Sequence, residues 1–491
     1  MRLRRSARSI ILLATAPLHG RAPAQEGGIA PPTPSASEAP APASADGAAP
    51  TATTAQEAAL PDGATPAAAS NGPALTQPDE SLDLSGYFSL QYRLRRTSDT
   101  TDQDLFGLLG ADWRDAERDP FSVHVATRAS WDVDGRQDRN GSYAFDSLAD
   151  SYDHAFVAHL LEGWAGGRVA GLGDWRLGRF FLEDTPVTTY MDGARIATLV
   201  SGPLKARVGG YGGLPSHLYE SSSSGDRIYG AFAEARGWTG GRSRFDWMHV
   251  DDELRASDRE DDLLALSHWQ ALGERVDLFG RFTWIASESR DLTARAGFHD
   301  AESALRVQLG WYELFNEQTD LSYEFDPFTV VAFDYQPYRQ ASLLVGKGLG
   351  DHFDLAAGVD VRRLNDDDLE AAFNHEFERW FVVPSVTGWP SDGTSASATF
   401  EVWDAGSERY ETVGGDLDQE IAKGVTVGAF TSFALYRYDL YQARELDRVR
   451  SWGARLDWRA TKLLRLRLDW TFEDDRFDRY QTARVRATWN F

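Results

Sequence analysis

The chain has 491 residues and no cysteine, and its 75 acidic and 50 basic residues give a formal net charge of −25. Without cysteine, neither disulfide bonds nor a lipid-modified cysteine anchor can contribute to its stability or location. The acidic balance argues against general nucleic-acid binding, which requires a basic surface.

The first part of the chain predicts an export signal and a linker. A basic start and the apolar run 10–18 precede the small-x-small pattern 22–24. This predicts a signal peptide over residues 1–24 and export through the Sec pathway, because the run is too short to span a bilayer. Residues 25–80 are rich in Ala, Pro, Ser and Thr and cannot bury a core. We predict a disordered periplasmic linker, either a spacer or a tether to peptidoglycan or a partner.

From residue 84 onward, apolar and polar residues alternate with a period of two, which predicts strands with one apolar and one polar face. In the first segment the apolar face carries Leu84, Phe88 and Leu90. Many segments have the length of about 9–11 residues that a tilted membrane strand needs. Short connections alternate with longer polar ones such as 134–153 and 365–374, which is typical of barrels with short periplasmic turns and long outer loops.

About twenty-two segments can be marked, and bacterial barrels of this kind have an even strand number. The segment 374–389 and the pair flanking Gly202 alternate weakly and can equally form loop hairpins. We therefore predict an all-β fold, a single antiparallel up-and-down transmembrane β-barrel over residues 81–491 with about 18 strands, roughly 16 to 22. The mean hydropathy of −0.42 fits this fold, because the loops and half of each strand are polar. A soluble secreted β-protein with its apolar faces between two sheets is the alternative.

Motifs for enzymatic and metal chemistry are missing from the sequence. It contains no His-Glu-x-x-His and no Gly-x-Ser-x-Gly motif. The glycine-rich segment 346–350 is followed by a strand pattern, whereas a phosphate loop needs a helix. The acidic residues between 251 and 262 form either a solvated loop or a site where divalent ions bridge to lipopolysaccharide phosphates. We predict a protein that is not an enzyme and has no cofactor and no metal.

The chain ends on an aromatic residue at the close of an alternating strand, 480–491. The apolar face of this strand includes Val485, Ala487, Trp489 and Phe491. An ending of this kind resembles the outer-membrane β-barrel proteins of Gram-negative bacteria, in which the barrel-assembly machinery reads the last strand and its terminal aromatic. The resemblance implies that these four residues are an assembly signal and that the barrel lies among outer-membrane lipid and lipopolysaccharide.

Arginine is concentrated on the polar faces of the strands that meet when the barrel closes. These arginines, called the seam patch below, are Arg93, Arg95, Arg455, Arg459, Arg465, Arg467, Arg484 and Arg486. Asp457 and Asp469 lie on the same faces. We predict that all of them line the pore. The patch either selects ions and guides a carboxylated solute through bidentate contacts, or forms Arg–Asp ladders that stiffen a polar wall.

A second segment, 175–195, resembles a stretch of alginate-export-type porins. In that family a strand with a Leu-Gly-Arg core leads through a loop to an Asp-Gly-x-Arg element beside the pore. Phe180 stands where the family usually has glutamine. The resemblance implies that Arg179, Asp192 and Arg195 line the pore.

Together these patterns predict a porin-like outer-membrane channel for the passive diffusion of ions or small hydrophilic solutes through a polar, arginine-rich lumen. The alternative is a sheath or export barrel whose lumen holds a partner, either a multihaem cytochrome or a polysaccharide chain. The sequence specifies neither the solute nor the oligomeric state, and nothing in it marks a subunit interface.

Overall fold

In a computed structural model of the chain, the structure describes residues 83–98, 100–115, 121–135, 155–169, 173–200, 202–216, 225–253, 258–316, 336–366, 375–406, 408–439, 444–475 and 479–491. The predicted signal peptide and linker lie outside the described residues. Within these ranges, no helix is long and apolar enough to cross a membrane.

The described residues form 22 strands. They are β1 Asp83–Arg96, β2 Thr101–Asp115, β3 Phe121–Asp132, β4 Phe156–Val169, β5 Gly173–Leu182, β6 Thr189–Val200, β7 Ala206–Pro215, β8 Arg227–Ala235, β9 Gly241–Glu253, β10 Asp258–Leu272, β11 Val276–Ile285, β12 Glu288–Asp300, β13 Leu305–Leu314, β14 Tyr338–Leu349, β15 Phe353–Leu364, β16 Phe377–Thr387, β17 Thr394–Ala405, β18 Glu408–Ala422, β19 Val425–Asp439, β20 Arg444–Arg459, β21 Leu464–Asp474 and β22 Arg479–Asn490. Each strand pairs antiparallel with its sequence neighbours, and β1 pairs with β22. The ladder therefore closes into one up-and-down barrel, as predicted.

The predicted number of about 18 strands is wrong, and the described residues show 22. The segments that looked weak are strands: β6 and β7 flank Gly202, and β16 lies within 374–389. β7 alternates weakly because four of its ten residues are glycine. A Cβ built on one of them, Gly209, would lie 2.6 Å from the ring of Phe232 on β8. Glycine at this position thus makes room for an aromatic ring and does not mark a turn.

Side chains alternate between the lumen and the outside of the barrel. On β1, the inward residues Gln91, Arg93 and Arg95 are buried, whereas the outward residues Leu84 and Phe88 are exposed. An outer face made of exposed apolar residues fits a barrel surrounded by lipid. The alternative of two sheets packed face to face is excluded for the described strands, because they form one closed ladder.

The two ends of the barrel differ in their connections. The start of β1 and the end of β22 lie at one end, called the terminal end, where the longest connection is 388–393. At the opposite end, called the loop end, the connections include the much longer segments 133–155 and 315–337. At the terminal end Gly86 and Phe491 exchange two backbone hydrogen bonds, each 2.9 Å long, which complete the closure.

A barrel of this strand number is wide. With strands about 4.8 Å apart and tilted by about 40°, a round barrel of 22 strands has a backbone diameter of roughly 40 Å. Inward side chains and inward-folded connections therefore determine the path that a solute can take.

Candidate functional site

The structure places the seam patch on the inner face of the barrel. One row across four neighbouring strands contains Arg93, Arg484, Asp469 and Arg455, each directly opposite the next. The adjacent row contains Gln91, Arg486, Arg467 and Asp457. The remaining members Arg95, Arg459 and Arg465 lie on the same faces of their strands.

Two seam arginines are fully buried in ion pairs with β2. The Nε and Nη2 atoms of Arg93 donate to Asp104 Oδ2 at 3.0 and 2.7 Å. Arg95 donates from Nε to Asp102 Oδ2 at 2.7 Å and from Nη2 to Asp104 Oδ2 at 3.3 Å. Both arginines are 0–1% exposed. These contacts hold β1 and β2 together and leave no surface on either guanidinium for a solute.

Most of the other seam arginines also have acidic or amide partners. Arg455 lies 2.6 Å from Asp416 and donates to Asp418, Arg465 pairs with Asp457, and Arg467 lies 2.9 Å from Asp469. Arg486 donates to the amide oxygen of Gln91 at 2.7 Å. In the described part of the chain, Arg459 and Arg484 of the patch have no carboxylate within ion-pair distance. The contacts therefore favour the ladder interpretation over a field of free positive charge.

Arg179 and Asp192 do not line the lumen, and the prediction for these two residues is wrong. They lie directly opposite each other on β5 and β6, on the outward face that also carries Leu177, which is 58% exposed. Phe180, the next residue along β5, is fully buried inside. The inward residue of this segment is Arg176, directly opposite Arg195, so only Arg195 of the three predicted residues faces the lumen.

An apolar cluster inside the barrel explains this reversal. Its members are buried and come from the strands β5 to β11 and one connection: Phe180, Leu182, Val187, Met191, Tyr211, Ile228, Met248, Val250, Leu263 and Ile285. Phe180 and Leu182 look like lipid-facing residues in the sequence, but they pack in this internal cluster. Val187 belongs to the connection 183–188, so this connection folds into the barrel.

The connection 183–188 reaches across the inside of the barrel to β11. Arg281 on β11 donates from Nη2 to the carbonyl oxygens of Thr185 and Pro186, at 2.5 and 3.1 Å. Five strand spacings separate β6 from β11, which is about 24 Å of wall, more than one arginine side chain can span. Asp184 in the connection also accepts a hydrogen bond from Arg244 Nη1 on β9 at 2.9 Å. The connection is therefore tied to the inner wall at two separate strands and narrows the lumen.

Arg176 and Arg195, called the wall pair below, lie on the terminal-end side of this connection. Like charges directly opposite each other on neighbouring strands repel. The carbon atom Cζ of Arg176 lies 4.1 Å from the ring centre of Trp164, and that of Arg195 lies 5.1 Å from the ring centre of Phe232. Among the residues that the structure describes, neither guanidinium has a carboxylate within ion-pair distance. The wall pair is thus a local excess of positive charge held by aromatic rings.

Two of the acids near the wall pair are engaged by other groups. Glu162 accepts a hydrogen bond from Trp164 Nε1 at 3.2 Å, and Asp184 binds Arg244. Arg244 also pairs with Asp246 at 2.7 Å, so it is neutralised where the wall pair is not. Because these carboxylates are engaged by other groups, the wall pair remains a positive site of this wall.

The charged residues of β9 could have been recognised in the sequence as facing the lumen. In the segment 242–246, Arg242, Arg244 and Asp246 alternate with Ser243 and Phe245, which marks a charged inward face on β9. No local signal identifies Arg281 as the anchor of a connection far away in sequence. Across the described ranges, no cluster of three or more His, Cys, Asp or Glu residues is placed to hold a metal ion.

Comparisons with known proteins provide fold neighbours at low similarity. No family model and no curated protein matches the chain. The chain is similar to three Pseudomonas aeruginosa structures, each covering 83% of it: OccK8 (OprE), with 10% identity, 98% of that chain covered and a TM-score of 0.42; OccK2 (OpdF), with 12%, 98% and 0.40; and the outer membrane protein OpdK, with 11%, 99% and 0.40. The local resemblance to alginate-export-type porins is not supported by these comparisons.

Proposed function

We propose that the chain is an outer-membrane channel through which small hydrophilic solutes diffuse passively, with a preference for anions. The closed barrel and its apolar outer face support a membrane location, and the polar inner face supports a water-filled path. The observation that carries the proposal is the wall pair, because Arg176 and Arg195 are directly opposite residues of neighbouring strands, and neither guanidinium has a carboxylate within ion-pair distance among the described residues.

A guanidinium group offers several donors in a planar fork that matches carboxylate or phosphate oxygens. An anion that enters beside the wall pair is attracted by both positive charges, whereas a cation is repelled by both. The aromatic rings of Trp164 and Phe232 keep both side chains against the wall. We therefore assign the selectivity of the channel to the wall pair, with the seam patch acting mainly as a structural ladder.

The inward connection 183–188 makes the wall pair effective. In a wide, fully open barrel, solutes could pass at a distance where salt screens the charge, since the Debye length is about 8 Å at physiological ionic strength. Because the connection reaches from β5 to β11, it reduces the free cross-section on the side of the barrel that carries the wall pair. We propose that solutes pass close to Arg176 and Arg195 for this reason.

Recordings from the purified protein in planar bilayers test this proposal. We expect ohmic single-channel steps and, across a KCl gradient, a reversal potential with the sign of chloride preference. Heat-modifiable migration on a gel is the control for a folded barrel. A folded barrel that gives no steps, or one that prefers potassium, would contradict the proposal.

The strand number favours one second candidate. Barrels of 16–18 strands commonly leave an open channel, whereas 22-stranded outer-membrane barrels are known with a filled lumen. A sheath or export barrel around a cytochrome or a polysaccharide chain is therefore the second function that we propose. A folded protein without channel activity, isolated with haem or polysaccharide bound, would favour this candidate over the open channel.

A further inference from the structure

The outward face of the barrel carries an ion pair between two strands. Arg179 on β5 donates to Asp192 on β6 from Nε at 2.7 Å and from Nη2 at 2.5 Å. Its Nη1 atom donates to the backbone oxygen of Leu160 on β4 at 2.9 Å. The pairing of β3 with β4 shifts at Leu161, since Ala126 lies opposite Glu162 and Thr127 opposite Leu160. This bulge is next to the carbonyl group that the arginine uses.

The ion pair lies between aromatic residues that mark the two edges of the apolar band. Along the outward face of β5, Trp175 lies toward the terminal end, and Phe181 lies toward the loop end. The ring of Phe181 contacts Tyr190 of β6 at 4.9 Å between ring centres. Aromatic residues collect at the two membrane interfaces, so Arg179 and Asp192 lie inside the band. Charged groups facing lipid at this depth are costly, even when paired.

The wall around the ion pair carries many small outward residues among larger exposed ones such as Leu177 and Leu214. The small ones are Gly163, Ala165, Ala194, Gly210, Gly212, Ala231 and Ala233. The opposite wall carries the large residues Trp380, Phe400 and Val413, all exposed. Where two protein surfaces meet inside a membrane, small residues allow their backbones to approach closely.

We propose that the outward wall of β4 to β8 is covered by a second copy of this chain, related by a two-fold axis along the membrane normal. The charges argue for a second copy because Arg179 and Asp192 lie side by side. About such an axis, Arg179 of one copy faces Asp192 of its partner and the reverse, which makes the surface self-complementary. The interface removes the ion pair from lipid and gives each charge a second partner. This inference concerns the outer wall and does not depend on the proposed function of the lumen.

The absence of cysteine allows a clean crosslinking test. Leu177 and Ala194 lie directly opposite each other, next to the ion pair on the outward face. We would compare Leu177→Cys and Ala194→Cys with Val413→Cys on the opposite wall, which is 53% exposed. Each full-length variant is expressed in outer membranes and treated with copper-phenanthroline, and folding is checked by heat-modifiable migration.

We expect both wall variants to form covalent dimers several-fold more efficiently than Val413→Cys. Adding Arg179→Gln to the Ala194→Cys variant should lower the dimer yield. Equal yields at all three positions would indicate random collision and overturn the proposal. Crosslinks to a different protein, or no crosslinks at all in folded barrels, would overturn it as well. The readout is a covalent mass and not conductance, so it can fail while the channel proposal holds.

Discussion

Arg281→Gln should raise the single-channel conductance by roughly a factor of two, because conduction through a water-filled pore depends on its narrowest part. Arg281 is the anchor on β11 for the carbonyl groups of Thr185 and Pro186. Each hydrogen bond to a charged donor contributes about 1.5–3 kcal/mol. Without these bonds, the buried carbonyl oxygens lose their partner, and we expect the connection 183–188 to leave the wall.

The control for this change is Arg306→Gln. Arg306 shares the inward face of β13 with Tyr312, and its replacement removes the same charge without touching the connection. Val187→Gly is a second route to the same result, since it removes the apolar anchor of the connection. A folded Arg281→Gln variant with wild-type conductance would show that the connection does not limit the flow.

Arg93→Ala should destabilise the folded barrel by about 3–5 kcal/mol, the usual cost of breaking a buried ion pair by removing one partner. Arg93 is 0% exposed, and its partner Asp104 is 1% exposed. The guanidinium carbon of Arg93 also lies 4.7 Å from the ring centre of Phe106, so the replacement removes this packing contact together with the charge. Tryptophan fluorescence during urea unfolding in detergent micelles measures the change.

Arg465→Ala is the matched comparison within the same seam patch. Arg465 pairs with Asp457 but keeps 49% of its side chain exposed, and exposed pairs contribute about 0–1 kcal/mol. The double variant Arg93→Met/Asp104→Leu should recover most of the stability lost in Arg93→Ala, because it removes both charges of this pair and leaves Arg95 paired with Asp102. Equal losses for Arg93→Ala and Arg465→Ala would contradict the assignment of a buried structural role to Arg93.

The alternation of side chains was sufficient to predict the barrel but not its strand number. In β1 the residues Leu84, Phe88 and Leu90 alternate strictly with polar residues, and the observed strand has the predicted faces. β7 lacks that contrast because its glycines accommodate neighbouring rings such as that of Phe232. The evidence for such strands lies in their pairing with neighbours, which a single segment of sequence does not contain.

The inner site was harder to predict because it reverses the usual hydropathy rule. Phe180 and Leu182 are apolar but face inward, where Val187 of a folded connection covers them. A rule that places apolar residues on the outer face therefore predicts that Arg179 faces the lumen, whereas the inward residue is Arg176. Arg195, which only the resemblance to alginate-export-type porins suggested, lies on the face of β6 opposite to that of Asp192. The acids that pair with the seam patch come from β2 and β18 as well as from the strands of the patch. The arginine pattern of those strands alone therefore predicts more unpaired positive charge than the structure has.

The measurement that tests the central claim most directly is the reversal potential of an Arg176→Gln/Arg195→Gln variant across a KCl gradient. The comparison is Arg465→Gln/Asp457→Asn, which makes two changes on the inner wall and keeps the net charge. We expect the wall-pair variant to lose the chloride preference of the wild type and the comparison variant to retain it. An unchanged reversal potential in the wall-pair variant would contradict the assignment of selectivity to Arg176 and Arg195.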